Sequence, residues 1–404
     1  MDNITALQGI DTTGIRKINS RAVLEALRTG GKMGRREISR ITGLSFATVC
    51  RVVDQLVEQS MVLETGFVNL GNAKRKTALL DINPDGGWVA ALDIGGGHIR
   101  AAGVDFGGAV RQAIDIPLGD ARGAEMIAPA ITSALTSIIA KCGKLTGKPA
   151  AVGVSSSGIV DSQQGSVELS FNLELRDFPV AAVIRQVCDV PVAVSNDVAA
   201  STLAEAKLGY GRSNPDFAYV TVGVGVGAGL VFDGQVRHVP AGAEFGLMVV
   251  APEGDPERFG GRGYLESLAS GRGIAAVARR ELEAGAKSRL LDIVQDGPEQ
   301  ITAKTVAEAA QMGDELSSAI LARAAGYLGI GIVNLAHTLG LTVFVLGGGV
   351  SMAGDAFWTP LRESVMKYEY WPGRIRLEPS ALGKDPALLG AGILALDQAF
   401  AAVG

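Results

Sequence analysis

Two glycine-rich stretches have the composition of phosphate-binding turns. In LDIGGGHIR, Gly95 and Gly96 closely follow Asp93, and TVGVGVGAGL carries Gly223 and Gly225. Glycine backbones turn tightly, and their N–H groups can approach a phosphate from close range. Because each stretch follows a run of β-branched residues, the sequence predicts two strand-turn-strand units that offer backbone donors to a nucleotide. Glycine hairpins also occur as plain tight turns, so this chemistry requires matching polar side chains.

A third glycine cluster lies in ERFGGRGYLE, residues 257–266. Gly260, Gly261 and Gly263 give its backbone conformations that other residues avoid. Alone, the cluster indicates no more than a mobile surface turn.

The first 80 residues carry side chains suited to DNA. Helical periodicity places Val23, Leu24 and Leu27 on one face of a first helix, and GRREISRI predicts a second. SFATVCRVVDQLVEQSMV predicts a third helix, with a serine cap and a buried stripe of Val49, Val52, Leu56 and Val57. Its outward face carries small and polar groups that suit the base edges of a major groove, with plain solvation as their alternative role: Ser45, Ala47, Thr48 and Arg51.

Two predicted strands follow the third helix, in MVLETGFVNLGNAKRKTALLDINP. Their loop holds Lys74, Arg75 and Lys76 in succession. Three helices and a basic hairpin predict a winged helix-turn-helix whose wing contacts phosphates. A solvated charge run is the alternative interpretation.

Composition limits the class of protein. A chain of 404 residues with 47% hydrophobic and 20% charged residues predicts two or three folded units and excludes a disordered chain. The net charge of −5 argues against nucleic acid along the whole surface but permits a local basic module. Cys50, Cys142 and Cys188 are odd in number and widely spaced, which favours reduced thiols and a cytoplasmic location. No membrane segment is predicted.

An internal duplication is predicted from residue 87 onward. WVAALDIGGGHIRAAGVDFGGAVRQAIDI predicts three strands joined by glycine turns, and AYVTVGVGVGAGLVFDGQV repeats the scheme, with the first turn spanning Gly223 to Gly229. Three long helical stretches lie between and after these hairpins, in AEMIAPAITSALTSIIAKCG, LSSAILARAAGYLGIGIVNLAHTLG and PALLGAGILALDQAFAA. The pattern predicts mixed sheets flanked by helices in two similar lobes.

In their order, these motifs resemble the ROK family (repressors, open reading frames and kinases). The resemblance rests on LDIGGGHIR, SNDVAAST, TVGVGVGAGL, AEFGLMVVAPEGDPERFGGRGYLE and VFVLGGGVS. It implies an α/β fold in which a winged helix-turn-helix precedes a two-lobed actin-like (RNase H-like) sugar-kinase fold. The implied domains are residues 1–82, residues 87–197 with 386–404, and residues 198–385.

The resemblance also implies a sugar site. Five positions match those that hydrogen-bond sugar hydroxyls in the family: Asn172, Asn196, Asp197, Glu244 and Glu266. Carboxylates and amides suit neighbouring hydroxyls because they accept or donate pairs of bonds. Each residue has a structural polar role as its alternative.

The third glycine cluster corresponds to the zinc loop of the family, which uses one histidine and three cysteines. Here those positions hold Leu247, Glu257, Phe259 and Tyr264. Such side chains cannot replace four soft or imidazole ligands, so we expect no zinc, and we expect Phe259 and Tyr264 to pack in its place.

Phosphoryl transfer is less well supported by the residues. Asp197 matches the catalytic base of the kinases. However, Gly97 and His98 replace a threonine and a frequent lysine of the first phosphate loop, and Val224 replaces a common threonine of the second. The loss of these donors from a reaction that depends on them lowers its expected rate by orders of magnitude.

Two functions fit these residues. The first is a sugar-responsive transcriptional regulator, a repressor, that acts as a homodimer or a dimer of dimers on double-stranded operator DNA. In it, sugar closes the lobes about Asp197, Glu244 and Glu266 and changes the spacing of the DNA-binding heads. The alternative is an ATP- and Mg-dependent sugar kinase with an accessory DNA-binding domain. A scaffold for protein partners has no sequence feature in its favour.

Overall fold

The computed structural model describes residues 12–69, 76–143, 147–237, 244–252, 263–294, 297–383 and 385–403. The chain divides into two compact units, residues 1–200 with 387–404 and residues 201–386. The predicted helix-turn-helix region therefore lies in the same compact unit as the first lobe.

A winged helix-turn-helix begins the first unit. Its elements are α1 (Thr12–Gly30), α2 (Arg35–Thr42), α3 (Phe46–Glu58), β1 (Val62–Asn69) and β2 (Lys76–Ile82). Strands β1 and β2 pair antiparallel, and Met33 adds a bridge to Leu80 of β2.

The cores of α1 and α3 largely follow the predicted periodicity. Val23, Leu24 and Leu27 are buried, as are Val49, Val52 and Leu56. The prediction for Val57 is wrong, because it is 37% exposed while Val53 is fully buried. Successive helical residues point about 100° apart, so Val57 lies at the edge of the stripe that Val49, Val53 and Leu56 share.

The first lobe contains a five-stranded sheet, with strand order β10-β6-β3-β4-β5. Its elements, with a small sheet of β7, β8 and β9, are β3 (Trp88–Ile94), β4 (His98–Asp105), β5 (Val110–Pro117), α4 (Ala124–Lys141), β6 (Val152–Ser156), β7 (Ile159–Asp161), β8 (Ser166–Ser170), β9 (Leu175–Phe178), α5 (Val180–Val187), β10 (Val192–Asn196) and the start of α6 (Asp197–Leu208). Helix α13 (Pro386–Ala401), near the C-terminus, also belongs to this unit.

The helix-turn-helix and the first lobe share one hydrophobic cluster. Buried residues of α1, α3 and β2 belong to the same cluster as Phe106 and the α13 residue Phe400, whose rings meet edge to face. Arg28 of α1 also pairs with Asp397 of α13 at 3.0 Å. Because burial of apolar area drives folding, this shared cluster stabilises the helix-turn-helix region on the lobe.

The second unit repeats the sheet order of the first, as β13-β12-β11-β14-β15. Its elements are β11 (Phe217–Val222), β12 (Val226–Phe232), β13 (Gln235–Val236), α7 (Leu265–Ala269), α8 (Gly271–Glu283), α9 (Leu290–Ile293), α10 (Ala303–Gln311), α11 (Glu315–Leu339), β14 (Val343–Gly347), α12 (Asp355–Tyr368) and β15 (Arg376–Pro379). Five short 3-10 helices complete the described elements, at Pro84–Gly86, Tyr210–Arg212, Phe245–Leu247, Pro298–Gln300 and Gly349–Met352.

The predicted duplication is confirmed by the two sheets. Each has a three-stranded antiparallel meander followed by two parallel strands. One detail differs from the prediction: the first turn of the second unit is confined to residues 223–225, and Gly227 and Gly229 lie inside β12. Gly229 has a packing role, because a Cβ there would meet the Thr202 hydroxyl at 1.9 Å.

Helix α11 is long and apolar enough to cross a membrane, and no other described helix is. More than half of its most apolar stretch is buried inside the unit. Ile320, Leu321 and Leu328 of this helix belong to the main core cluster, which is typical of a core helix in a folded domain.

Candidate functional site

The helix-turn-helix presents the start of α3 to solvent. Gly43, in the left-handed conformation, ends α2, and the Ser39 hydroxyl donates to the Leu44 carbonyl at 2.6 Å, which fixes the turn. Ser45 then caps α3, accepting from the Thr48 N–H at 3.1 Å. An exposed helix N-terminus after a tight turn is the arrangement with which such motifs enter a major groove.

The residues predicted to meet base edges differ in solvent exposure and in how many of their hydrogen-bonding groups are already bonded within the protein. Ser45, Ala47 and Arg51 are exposed, and Thr48 is half-buried. The hydroxyls of Ser45 and Thr48 lie 2.8 Å apart and bond to each other, so part of their hydrogen-bonding capacity serves the helix cap. Arg51 retains an exposed side chain on the second turn of α3.

Phe46 is a surface residue that the sequence reasoning missed. It is the first residue of α3 and is 50% exposed. It precedes Val49 by three residues, in phase with the buried stripe, so periodicity gives no signal of its exposure. An aromatic group at this place suits apolar contact with a thymine methyl.

The wing is described only in part. Strands β1 and β2 form the predicted hairpin, with Asn69 opposite Lys76. Lys74 and Arg75 lie outside the described residues, and Lys76 is the first residue of β2. The basic phosphate contacts of the wing stay a prediction.

In the first lobe, the turn between β3 and β4 contains the predicted glycines. Asp93 is nearly fully buried just before the turn. Its carboxylate accepts from the Ser155 hydroxyl at 3.0 Å and pairs with the Arg100 guanidinium at 3.0 Å. Arg100 is the residue opposite Asp93 on β4, so the register of the hairpin joins the two charges. A buried carboxylate is thereby compensated inside the hairpin itself.

The imidazole of the turn is already bonded to a carboxylate. His98 bonds to Asp115 on β5 at 2.7 Å, and Gly97 has open space where a side chain would stand. On the other side, a Cβ at Gly96 would lie 3.2 Å from the Asn172 Cβ. The structure thus brings one predicted sugar residue against the predicted phosphate loop.

Asn196 and Asp197 stand where β10 becomes α6. The Asn196 amide donates to the Gly158 carbonyl at 2.7 Å and accepts from the Val198 N–H at 2.8 Å. Asp197 is the first residue of α6, and one of its carboxylate oxygens accepts from the Val198 N–H at 2.9 Å. A carboxylate suits a helix N-terminus because the helix dipole is positive there. Asn196 therefore holds the junction, and Asp197 is the half-buried acid at its end.

In the second unit, the glycine turn is tied to an acid from a helix. The Gly223 N–H bonds to the Gly225 carbonyl at 2.9 Å, and Val224 between them is 55% exposed. Glu266 of α7 accepts from the Val226 N–H at 3.0 Å. A Cβ at Gly225 would lie 2.5 Å from the same carboxylate oxygen, so a larger residue there would displace the Glu266 side chain.

Glu244 and Glu266 lie close enough to interact electrostatically. Glu244 immediately precedes the 3-10 helix Phe245–Leu247, and a Cβ at Gly246 would lie 3.1 Å from the Glu266 Cβ. Desolvation raises the pKa of the Glu244 carboxyl, and the charge of Glu266 raises it further. Arg272 approaches the Glu266 carboxylate to 3.6 Å. These two predicted sugar residues form one acidic pair.

Comparison with known proteins identifies the family of this chain. Residues 89–398 match the ROK family. The chain belongs to the ROK family. The predicted resemblance and the predicted fold class are both confirmed.

Individual ROK proteins align with different shares of the chain. A xylose repressor of Caldicellulosiruptor bescii is 25% identical over 386 residues, 94% of this chain and 95% of the repressor. A glucokinase of Halalkalibacterium halodurans is 31% identical over 317 residues, 77% of this chain and 96% of the glucokinase. A solved ROK family transcriptional regulator, described as a homolog of the E. coli MLC protein, has a TM-score of 0.82 at 22% identity and covers 96% of this chain and 97% of its own. That last similarity shows the fold.

The zinc loop of ROK proteins is described here only at its ends. Val250 and Leu265 donate to the Gly263 and Met248 carbonyls at 3.0 and 2.8 Å, and Tyr264 bridges to Val249. Leu247, at the histidine position, is 46% exposed. Glu257 and Phe259 lie outside the described residues, so the predicted packing of Phe259 against Tyr264 stays a prediction.

The chemistry of the substituted side chains does not fit a structural zinc site. Leucine, phenylalanine and tyrosine offer no thiolate or imidazole. Among the residues that the structure describes, no cluster of three or more His, Cys, Asp or Glu side chains has the arrangement of a metal site.

Proposed function

We propose that this ROK protein is a sugar-responsive transcriptional repressor. The observation that carries the proposal is the exposed N-terminal turn of α3, capped by Ser45 and placed after a glycine-ended α2. This is the geometry of a DNA recognition helix, and phosphoryl transfer to a sugar does not require it.

The extent of the similarity to relatives supports this proposal. The protein named a xylose repressor aligns with 94% of the chain, whereas the glucokinase aligns over nearly its own full length with only 77%. The chain therefore has a segment that the glucokinase lacks and whose length the repressor shares. On this basis we propose operator DNA as the macromolecular partner and a sugar as the effector.

DNA binding is tested with operator duplexes selected from a random pool. We expect Arg51→Ala to relax sequence preference, because an arginine that reads a guanine contributes about 1–3 kcal/mol of discrimination. We expect Arg75→Ala to weaken binding to all sequences and to reduce the salt slope by about one unit, because it removes one phosphate contact. The measurement is fluorescence anisotropy across a salt series.

Arg185→Ala is the matched control for both variants, since Arg185 is an exposed arginine of α5 in the same unit. Its removal should leave affinity and preference unchanged. Equal loss of affinity and preference in Arg51→Ala and Arg75→Ala would contradict the assignment of the two contacts. A two-fold dimer predicts half-sites about 10 base pairs apart or a multiple of that.

The ROK domain is proposed as a sensor and not as a kinase. Its sugar ligands are the predicted Asn172, Asn196, Asp197, Glu244 and Glu266. The replacement of the phosphate-loop donors by Gly97, His98 and Val224 supports the absence of phosphoryl transfer. Sugar acts by binding with different affinity to two states of the protein that differ in affinity for DNA.

Calorimetry with xylose, glucose and other common sugars, with and without ATP, separates binding from turnover. We expect binding of at least one sugar, with turnover far below the 1–100 per second or so that is typical of kinases. Asp197→Ala should abolish binding without any turnover to lose. Turnover at kinase rates in the wild type, stopped by Asp197→Ala, would establish the alternative function of a sugar kinase.

We further propose a cytoplasmic homodimer or dimer of dimers without bound zinc. The absence of zinc rests on the replaced ligand positions Leu247, Glu257, Phe259 and Tyr264. Elemental analysis of the purified protein should find no stoichiometric zinc, and a chelator should leave the melting temperature unchanged. One dialysis-resistant zinc per chain would overturn this part of the proposal.

A further inference from the structure

An apolar cavity of about 190 Å³ adjoins the acidic pair in the second unit. It is lined by Ala228, Leu230, Glu244, Phe245, Met248 and Leu335. These residues come from β12, from the segment around the 3-10 helix Phe245–Leu247, and from α11. Glu244 is therefore the one acidic residue of this lining, and the other five residues are apolar.

Glu244 belongs both to the lining of this cavity and to the predicted sugar residues. The Glu244 residue lines the cavity, and Gly246, two residues later, would carry a Cβ only 3.1 Å from the Glu266 side chain. Glu266 in turn accepts from the N–H of Val226, two residues before Ala228 on the same strand. The carboxylates proposed to bind sugar hydroxyls are therefore close in the chain to the apolar side chains of the cavity.

The surroundings of the pair are also more apolar than a site for a plain sugar requires. Leu247 and Val249, which flank Met248, are 46% exposed each, and Val224 on the glycine turn is 55% exposed. Exposed apolar residues next to polar groups are typical of a surface that meets a partly apolar ligand. At Leu247 the family resemblance implies a histidine, so a hydrogen-bonding group is replaced by a hydrocarbon.

We propose that the effector is a sugar derivative that bears a compact apolar substituent, and that this substituent occupies the cavity beside Glu244. The inference rests on the proposed sensor function and narrows its ligand class. A volume of about 190 Å³ is roughly that of six water-sized groups at 30 Å³ each, enough for a short alkyl, acyl or aryl group. Burial of an apolar substituent against the apolar lining removes hydrocarbon surface from water, so the cavity favours the substituted sugar over the parent.

The test uses the full-length protein and the tightest-binding sugar of the calorimetric panel. That sugar is compared with its mono-O-propyl and mono-O-benzyl ethers, prepared at each hydroxyl in turn. We expect at least one ether to bind about tenfold tighter than the parent, since each buried methylene contributes severalfold. The same ether should release selected operator DNA at a correspondingly lower concentration.

Two variants locate that gain in the cavity. Leu335→Phe fills the space from α11 and should remove the tenfold gain while the parent sugar still binds. Leu339→Phe is the matched control, because Leu339 is also half-buried on α11 but does not line the cavity, and it should keep the gain. If Leu335→Phe fails to fold, Ala228→Val narrows the cavity from β12.

The outcomes separate the inference from the proposed function. Sugar binding without any gain from any ether, or a gain that survives both cavity-filling variants, overturns the inference and leaves the sensor function standing. No binding of any sugar or ether, with DNA binding intact, overturns the sugar sensor and the inference together. A gain that is lost in Leu335→Phe and kept in Leu339→Phe establishes the cavity as the substituent site.

Discussion

The two glycine hairpins of this protein have the same strand order around them but hold their acids differently. In the first, Asp93 is buried within the hairpin and compensated by Arg100 on the neighbouring strand. In the second, the acid is Glu266, which reaches the turn from helix α7 and takes the Val226 N–H. A duplicated backbone has thus been given two unrelated electrostatic environments.

That difference bears on how well each turn could hold a phosphate. A phosphate needs unoccupied backbone donors or cations. At the first turn Arg100 is paired with Asp93, and at the second turn one N–H is occupied by a carboxylate. The Glu266 carboxylate remains suitable for sugar hydroxyls, which are neutral.

The largest expected effect follows from breaking the first arrangement. Arg100→Ala should lower the free energy of unfolding by about 3 kcal/mol, because it leaves the carboxylate of Asp93, 4% exposed, without its cation. Urea denaturation measures this. Asp93→Asn added to Arg100→Ala should recover much of the loss, and the exposed Arg185→Ala should cost little. A loss below about 1 kcal/mol in Arg100→Ala would mean that the pair is not what compensates Asp93.

A second prediction breaks the arrangement of the second hairpin. Glu266→Gln should weaken binding of the best sugar by roughly 10- to 150-fold, which corresponds to about 1.5–3 kcal/mol for a hydrogen bond to a charged group. The glutamine carbonyl can still accept from the Val226 N–H, so the melting temperature should change little. Calorimetry and thermal unfolding are measured on the same preparation, and unchanged affinity would remove Glu266 from the sugar site.

A smaller effect is expected for Glu244, whose pKa is raised by desolvation and by Glu266. When folding raises the pKa of a carboxyl, the folded protein holds the proton more tightly than the unfolded chain does. The stability that this proton provides is fully present below the ordinary pKa and is lost as the pH rises through the folded-state pKa. Glu244→Gln should therefore match the wild type at low pH and become the more stable protein as the pH rises above about 4.5. Stability measured by urea from pH 4 to 8 tests the sign, and a gap that closes toward neutral pH would contradict it.

The smallest expected effect is on phosphoryl transfer. Gly97→Thr, His98→Lys and Val224→Thr together restore the side chains that the kinases of the family carry, and there is open space at Gly97 for the new group. We expect ATP turnover to stay far below kinase rates, because the triple substitution leaves the Arg100 guanidinium paired with Asp93 beside the first turn. A coupled assay that shows rates on the order of 1 per second would contradict this expectation and show that those three side chains suffice for turnover.

Local patterns explain why much of the fold was predictable. The α1 and α3 periodicities, the Ser45 cap and the glycine turns depend on residues within a few positions of one another. The error at Val57 arose at a helix edge, where adjacent residues face different environments. The sequence does not distinguish a glycine that a turn requires from one that close packing requires, and Gly229 is of the second kind because it packs against Thr202.

By itself, the sequence determined the order of the elements, the winged helix-turn-helix, the duplicated sheets and the residue types of the candidate sites. Only the tertiary structure decided which charges are compensated, since Asp93 meets Ser155 from 62 residues away and Arg28 meets Asp397 from 369. It also decided that Asn196 holds a strand-helix junction and that Glu244 lines an apolar cavity. The physical reason is that periodicity and capping act along the chain, whereas compensation and burial depend on strand register and on packing between distant segments.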